Sequence, residues 1–250
     1  MNRVTQEKTT QRISLWSGPR NVSTALMYSF AQRADTKVFD EPLYAHYLVR
    51  SKARHYHPSA DEIIASMDQD GARVVREVLL GDHGRPVAFF KNMAHHLVDL
   101  DLGFLAELSN VILTRDPAEM LLSYARTIER PNLADTGYPA QVRLLDLLLD
   151  SGLSPIVLDS RELLLDPHGV LVVLCDRLGI GFDERMLSWT PGARPEDGVW
   201  AEHWYARLHE SSGFKAYKPR SEPVPPDLEP LLEECLPLYA HLYEHAIRSA

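Results

Sequence analysis

The chain has 250 residues, 45% of them hydrophobic, and a formal net charge of −9. That size and apolar content fit one large α/β domain or two small ones, with a sizeable core. The acidic balance argues against non-specific nucleic-acid binding but leaves room for a local basic pocket around an anionic small molecule. The two cysteines, Cys175 and Cys235, sit in apolar helical patterns. They read as buried thiols, not as a disulfide framework or a metal site.

Residues 1–11 read as a weakly ordered leader. The N-terminus is polar through Arg12 and lacks the apolar centre of a signal peptide. No apolar run approaches membrane-spanning length, so the expectation is a soluble, cytoplasmic protein with no membrane contact. Residues 13–16 form a first short apolar strand. A Gly18-Pro19 turn follows, then a polar loop with Arg20, and a helix over 24–33. Residues 37–40 form a second strand that ends on Asp40-Glu41-Pro42. Residues 43–54 are amphipathic and rich in Tyr and His. Ser59 is an expected N-cap for a helix over 61–67, and 74–80 reads as a short helix before the turn cluster at 81–84.

Residues 86–91 make a third strand that ends on Lys91, with His95 and His96 just beyond. A short helix over 99–107 leads to a fourth strand, 110–114, and at once to Arg115-Asp116-Pro117. A helix starts at that proline, a favoured first-turn residue, and is expected to run to about Arg130. A Leu-rich helix (139–151), a fifth strand (155–158) and helices over 169–178, 182–189 and 200–209 follow. A Pro/Gly loop spans 190–198, a polar basic loop spans 211–220, and a final Leu-rich helix spans 225–248. Strands alternate with helices, and no strand shows clean period-2 polarity. This predicts a mainly parallel sheet of about five strands covered on both faces, a three-layer α/β fold. No repeat or linker is visible, so one domain over 1–250 is the simpler reading.

Ligands of such sheets bind beyond the carboxyl ends of the strands. That edge would gather Arg20, Asp40, Glu41, Lys91, His95, His96 and Arg115. The first strand–loop–helix junction is suited to an anion: a helix start leaves backbone N–H groups without acceptors, and Arg20, Ser23 and Thr24 add charge and hydroxyls. Arg115 and Ser123 are eight residues apart, which lets both face a group over the next helix start, although a mid-helix serine can instead back-bond to a carbonyl. Trp16, Trp200 and Trp204 are candidates for stacking on an adenine or lining an acceptor pocket, with core packing expected for at least one. The cluster Tyr44, His46, Tyr47, His55, Tyr56 and His57 suits an acceptor pocket or a solvated helix face better than a metal site.

The stretch Ser17-Gly18-Pro19-Arg20-Asn21-Val22-Ser23-Thr24 resembles the phosphosulfate loop of sulfotransferases. Thr114-Arg115-Asp116-Pro117 with Ser123 is similar to their motif for the second phosphate. The segments 161–167 and 174–180 resemble their Glu-Asp-Leu…Asp-Pro…Leu-Gly pattern, and Ser211-Ser212-Gly213-Phe214-Lys215 is more loosely similar to their C-terminal clamping loop. The resemblance spans residues 13–218. It implies a P-loop sulfotransferase fold like that of bacterial members. It also implies transfer of a sulfuryl group from 3′-phosphoadenosine 5′-phosphosulfate (PAPS) to a hydroxyl or amine of a small molecule, with no metal required.

On that resemblance, Gly18, Pro19, Arg20, Asn21, Val22, Ser23 and Thr24 would bind the 5′-phosphosulfate. Arg115, Ser123 and Lys215 would hold the 3′-phosphate, Ser212 and Gly213 would lie in the loop that clamps the donor, and Lys91 would approach the sulfuryl oxygens. Glu41 matches the carboxylate base of sugar-modifying members, and His95 is the alternative. The chain departs from the family pattern at Val22, where most members have glycine, and at Met93, where many have the basic histidine. Two rival readings remain: a small-molecule kinase on the related fold, which needs a loop lysine and magnesium, and a nucleotide-binding relative without turnover. The acceptor and the oligomeric state are not legible.

Overall fold

The computed structural model describes residues 10–126, 128–219 and 222–249. The expected leader falls largely outside these residues, but Gln11 already belongs to the first strand. Six parallel strands form one sheet in the order β2-β3-β1-β4-β5-β6. They are β1 (Gln11–Ser17), β2 (Thr36–Asp40), β3 (Val87–Met93), β4 (Ser109–Thr114), β5 (Ile156–Asp159) and β6 (Ala246–Ile247). The two-residue β6 is the strand that sequence patterning misses. It is too short to show a period and follows directly on the last helix.

Eleven α-helices are described: α1 (Ser23–Phe30), α2 (Tyr44–Arg50), α3 (Ala60–Ser66), α4 (Gly71–Val74), α5 (Pro117–Tyr124), α6 (Tyr138–Asp150), α7 (Ser160–Leu165), α8 (Pro167–Arg177), α9 (Ala201–Trp204), α10 (Ala206–His209) and α11 (Glu229–Glu244). Strand residues alternate between the two faces of the sheet. Ile13, Leu15, Phe89, Val111 and Leu113 pack with Leu26, Phe30, Leu171 and Cys175 on one face. Trp16, Ala88, Phe90 and Ile112 pack with Leu121, Leu144, Leu148 and Cys235 on the other. Both faces are dry, which is why the strands read as continuous apolar runs. A third cluster joins Tyr44, Tyr47, Leu48 and Ile63 to Trp200, Ala201 and Tyr205, and seats the α2–α3 region against the α9–α10 segment.

Several local expectations are corrected. The helix after β4 stops at Tyr124, well before Arg130. The helix expected over 200–209 breaks into α9 and α10 around Tyr205. Residues 184–187 form only a 3-10 turn, as do residues 102–107. Ser59 precedes α3 but takes a left-handed φ of 53° and makes no side-chain cap; its hydroxyl bonds His203 Nε2 at 2.8 Å instead. Helix α7 was not anticipated. Asp159 caps it by accepting from the N–H groups of Arg161 and Glu162, and Asp166 caps α8 in turn.

Candidate active site at the carboxyl edge of the sheet

The loop from Gly18 to Val22 joins β1 to α1. Gly18 is crowded: a Cβ there would lie 3.2 Å from the Thr136 carbonyl oxygen and 3.4 Å from Gln141 Oε1. Arg20 carries the unusual backbone, with φ of 55°. Val22 sits at φ −95°, a region open to any residue, so this loop needs no glycine at that position. Asn21 ties the loop down. Its Nδ2 donates to the Leu113 carbonyl at 3.2 Å, and its Oδ1 accepts the Ser23 N–H at 3.0 Å. One of the helix-start N–H groups expected to face an anion is therefore already engaged.

Two arginines meet where β1 and β4 end. Arg20 Nε donates to Ser123 Oγ at 3.0 Å, so the Ser123 hydroxyl serves the arginine. The Arg20 guanidinium also lies 5.7 Å from the centre of the Trp204 ring, within cation–π range. Arg115 Nη1 donates to the Arg20 carbonyl at 2.7 Å, and its Nη2 pairs with Glu119 at 2.8 Å. Glu119 in turn accepts from Tyr217 at 2.6 Å.

A second cluster lies where β2 and β3 run side by side. Asp40 is the register partner of Lys91, so carboxylate and ammonium project from neighbouring strands. The strand β3 runs on to Met93, so Lys91 lies within it and not at its end. The Lys91 ammonium donates to Asp40 Oδ1 at 2.9 Å, to Tyr205 Oη at 2.6 Å and, in a short contact, to Glu41 Oε1. The Lys91 and Asp40 side chains are 3% and 0% exposed, and that of Glu41 is 9% exposed. Glu41 holds a left-handed φ of 46°, fixed by its N–H donating to the Lys91 carbonyl at 2.7 Å. Burial pushes the Glu41 carboxyl up from its ordinary range; Lys91 opposes that rise and Asp40 adds to it.

The aromatic and histidine cluster borders Glu41. His96 is stacked between Tyr44 and Tyr47, with ring centres 4.8 and 4.5 Å apart. Tyr44 Oη and His57 Nδ1 share a hydrogen bond of 2.8 Å. Burial lowers His57 to about 4 and His95 to about 3, and takes His96 well below its ordinary value, so all three are neutral near pH 7. His95 Nδ1 and His96 Nδ1 are buried without a hydrogen-bond partner. No group of His, Cys, Asp and Glu among the described residues is arranged to hold a metal ion.

Both clusters face one cavity of about 410 Å³. Its wall contains every residue from Gly18 to Thr24, together with Glu41, Lys91, His95, Arg115, Ser123, Gly213 and Lys215. Ser212 is absent from the wall; its carbonyl accepts the Trp189 N–H at 3.0 Å, while Ser211 reaches the cavity. Trp200 and Trp204 line it, whereas Trp16 is a core residue whose Nε1 donates to Asn110 at 2.9 Å. Sequence reasoning missed Tyr205, and it had Asp40 only as one of two carboxylates. No local motif marks Tyr205, because its charged partners lie 114 and 165 positions away in the chain.

The family model described as the sulfotransferase domain matches residues 11–246, and the chain belongs to that family. Among solved structures, the sulfotransferase domain from the curacin biosynthetic pathway covers 90% of this chain and 97% of its own, at 16% identity and a TM-score of 0.51. The sulfotransferase from Alicyclobacillus acidocaldarius covers 96% and 98%, at 12% identity and a TM-score of 0.53. These likenesses show a shared fold. In sequence the chain is 39% identical over 240 residues to branched-chain-amino-acid aminotransferase-like protein 1 of Arabidopsis thaliana, and 38% identical over 234 residues to protein 2. The matches cover 95% and 93% of this chain but only 42% and 41% of those proteins, so the chain spans about two fifths of the length of these relatives. No helix among the described residues is long and apolar enough to cross a membrane.

Proposed function

We propose that this chain moves a sulfuryl group from PAPS to a hydroxyl or amine of a small-molecule acceptor. The observation that carries the reading is the single cavity whose wall brings Arg20, Lys91, Arg115 and Ser123 together with Glu41. The residues fit such a donor. The α1 start and Arg20 meet a phosphosulfate, and Arg115, Ser123 and Lys215 offer positive charge and a hydroxyl for a second phosphate.

PAPS supplies an activated sulfuryl group: its S–O bond to the 5′-phosphate breaks as the acceptor's oxygen or nitrogen bonds to sulfur. The protein's part is positioning and charge stabilisation, as in the related phosphoryl case. Arg20 neutralises charge that grows on the leaving phosphate. Glu41 takes the proton from the acceptor, and the ammonium of Lys91 next to it favours the ionised carboxylate that this requires. His95, neutral and with an unpartnered Nδ1, is the second candidate base. The acceptor side is walled by Tyr44, Trp200 and neutral imidazoles, which suits an uncharged, flat-bodied acceptor.

The test is incubation with PAPS and a panel of alcohols, phenols and amines, followed by chromatographic measurement of 3′-phosphoadenosine 5′-phosphate (PAP). Acceptor-dependent PAP release is the expected result. Magnesium-dependent phosphoryl transfer from ATP would point to the kinase, and PAP binding without any turnover would point to a non-catalytic binder.

A further inference from the structure

The Lys91 ammonium has three N–H bonds to give, and the fold uses all three, on Asp40, Tyr205 and Glu41. As it stands, no N–H remains for a sulfuryl oxygen. One partner has to let go, and the geometry separates the three.

Asp40 and Tyr205 form a closed arrangement. The Tyr205 hydroxyl donates to Asp40 Oδ2 at 2.8 Å and accepts from Lys91 at 2.6 Å and from Trp200 Nε1 at 3.0 Å. One donated and two accepted bonds exhaust a hydroxyl. The Asp40 side chain is fully buried and outside the cavity wall; Glu41 and Tyr205 both line the wall, but the Tyr205 hydroxyl is also held there by Asp40 and Trp200. The charges separate them too. One ammonium stands between two carboxylates, and the one closed in with Tyr205 takes the permanent share.

We propose, resting on the sulfuryl-transfer reading, that Asp40 and Tyr205 are positioning residues that hold Lys91 by two of its N–H bonds, and that Glu41 is the exchangeable third partner. A sulfuryl oxygen that takes the third N–H frees the Glu41 carboxylate to receive the acceptor's proton. Delivery of the cation to sulfur and release of the base then become one event. The proton passes from the acceptor to Glu41 as the acceptor–sulfur bond forms and the bond from sulfur to the 5′-phosphate oxygen breaks, releasing PAP. Tyr205 stays protonated throughout, since its phenol is held well above its ordinary range by burial and by Asp40.

The groups that face this carboxylate are known from each side. Asp40 lies beside it on β2, Lys91 on β3, Tyr44 on α2 and Tyr205 between α9 and α10. His96, neutral, faces Lys91 from the turn after β3. Of these, only Asp40 adds a negative charge, and it works to keep the proton on Glu41. Removing that charge should make Glu41 a weaker base and a tighter partner for Lys91.

The experiment compares Tyr205→Phe, Asp40→Asn and Trp200→Phe with the wild type. PAP affinity is measured by calorimetry, thermal unfolding is followed against pH, and transfer to water is read as PAP release from PAPS. PAP lacks the sulfuryl group, so its affinity should change less than about threefold in all three variants. PAP release should fall by roughly 10- to 100-fold in Tyr205→Phe and by a few-fold in Trp200→Phe, which keeps the hydroxyl but loses one donor to it. In Asp40→Asn the acid limb of the rate profile should move to lower pH. The part of the melting curve's pH dependence that belongs to Glu41 should move the same way.

A Tyr205→Phe variant with the wild-type rate, or an acid limb unmoved in Asp40→Asn, overturns the proposal. So does a loss of PAP binding in step with the rate, which marks a merely structural role. Wild-type protein that neither binds PAP nor releases it from PAPS defeats the sulfuryl-transfer reading itself, and this inference with it.

Discussion

The two halves of the cavity are built in opposite ways. On the Arg20–Arg115 side, both arginines sit just beyond the ends of β1 and β4, in loops that open α1 and α5. Arg20 donates to Ser123, and Arg115 donates to the Arg20 carbonyl and pairs with Glu119, partners from the same loops and the helix they open. On the Lys91 side, a buried ammonium is surrounded by two adjacent carboxylates and a phenol, drawn from two other parts of the chain. One half keeps contact with solvent: the Arg115 side chain is 19% exposed, against 3% for Lys91. The other is satisfied within itself and has to exchange a bond to act. A buried charge can be retained only with such partners, so the same network that makes Lys91 tolerable in the core also holds it back.

Substitutions can break this contrast, and the largest effect belongs to the open half. Arg20→Ala should reduce PAP release from PAPS by about 10³-fold, because charge on the leaving phosphate loses its nearest cation. Steady-state kinetics check this, with calorimetry to show weaker PAP binding alongside. Glu41→Gln strikes the other half and should lower kcat by about 10²-fold with PAP affinity intact; loss of both together would contradict the division of labour. Ser123→Ala removes the hydroxyl that orients Arg20. It should weaken PAP binding by roughly tenfold, the usual size for a hydrogen bond to a charged group.

Smaller effects sharpen the picture of the acceptor wall. His57 is lowered to about 4 by burial, against an unfolded value of 6.5. Its folded form binds fewer protons, so its contribution is fully present above pH 6.5 and is lost as pH falls through about 4. Denaturant unfolding at a series of pH values should show the loss. His57→Asn should flatten it by about 2 kcal/mol, allowing for partial contact with solvent. Val22→Gly should matter least. The valine already occupies an unstrained φ of −95°, so glycine there should leave PAP affinity within about threefold and cost under 1 kcal/mol in denaturant stability.

The same contrast explains what could be read from the chain alone. The phosphate-side residues announce themselves because the physics is local: a strand end, a tight turn, an arginine and a helix start occur within a dozen positions. Lys91 and Glu41 were legible as strand-end charges, and their pairing follows from β2 lying beside β3. Tyr205 was invisible. It sits where a presumed helix breaks in two, and its partners are set by how α2 and α3 pack against the α9–α10 segment. Strand β6 was hidden for a related reason, because a two-residue strand is defined by its neighbour and not by its own pattern. Val22 is a case where only the backbone could decide the local geometry. The family pattern has glycine there, but the left-handed residue of this loop is Arg20, and Val22 at φ −95° needs no glycine.

The central claim is that Arg20, Arg115 and the start of α1 form a binding site for a doubly phosphorylated adenosine. Its most direct test is a calorimetric titration of the full chain with PAP, with and without magnesium, on the wild type and on Arg115→Ala. The account expects wild-type binding that is indifferent to magnesium and at least tenfold weaker in the variant. Absence of binding, binding only with magnesium, or equal affinity in both proteins would contradict it.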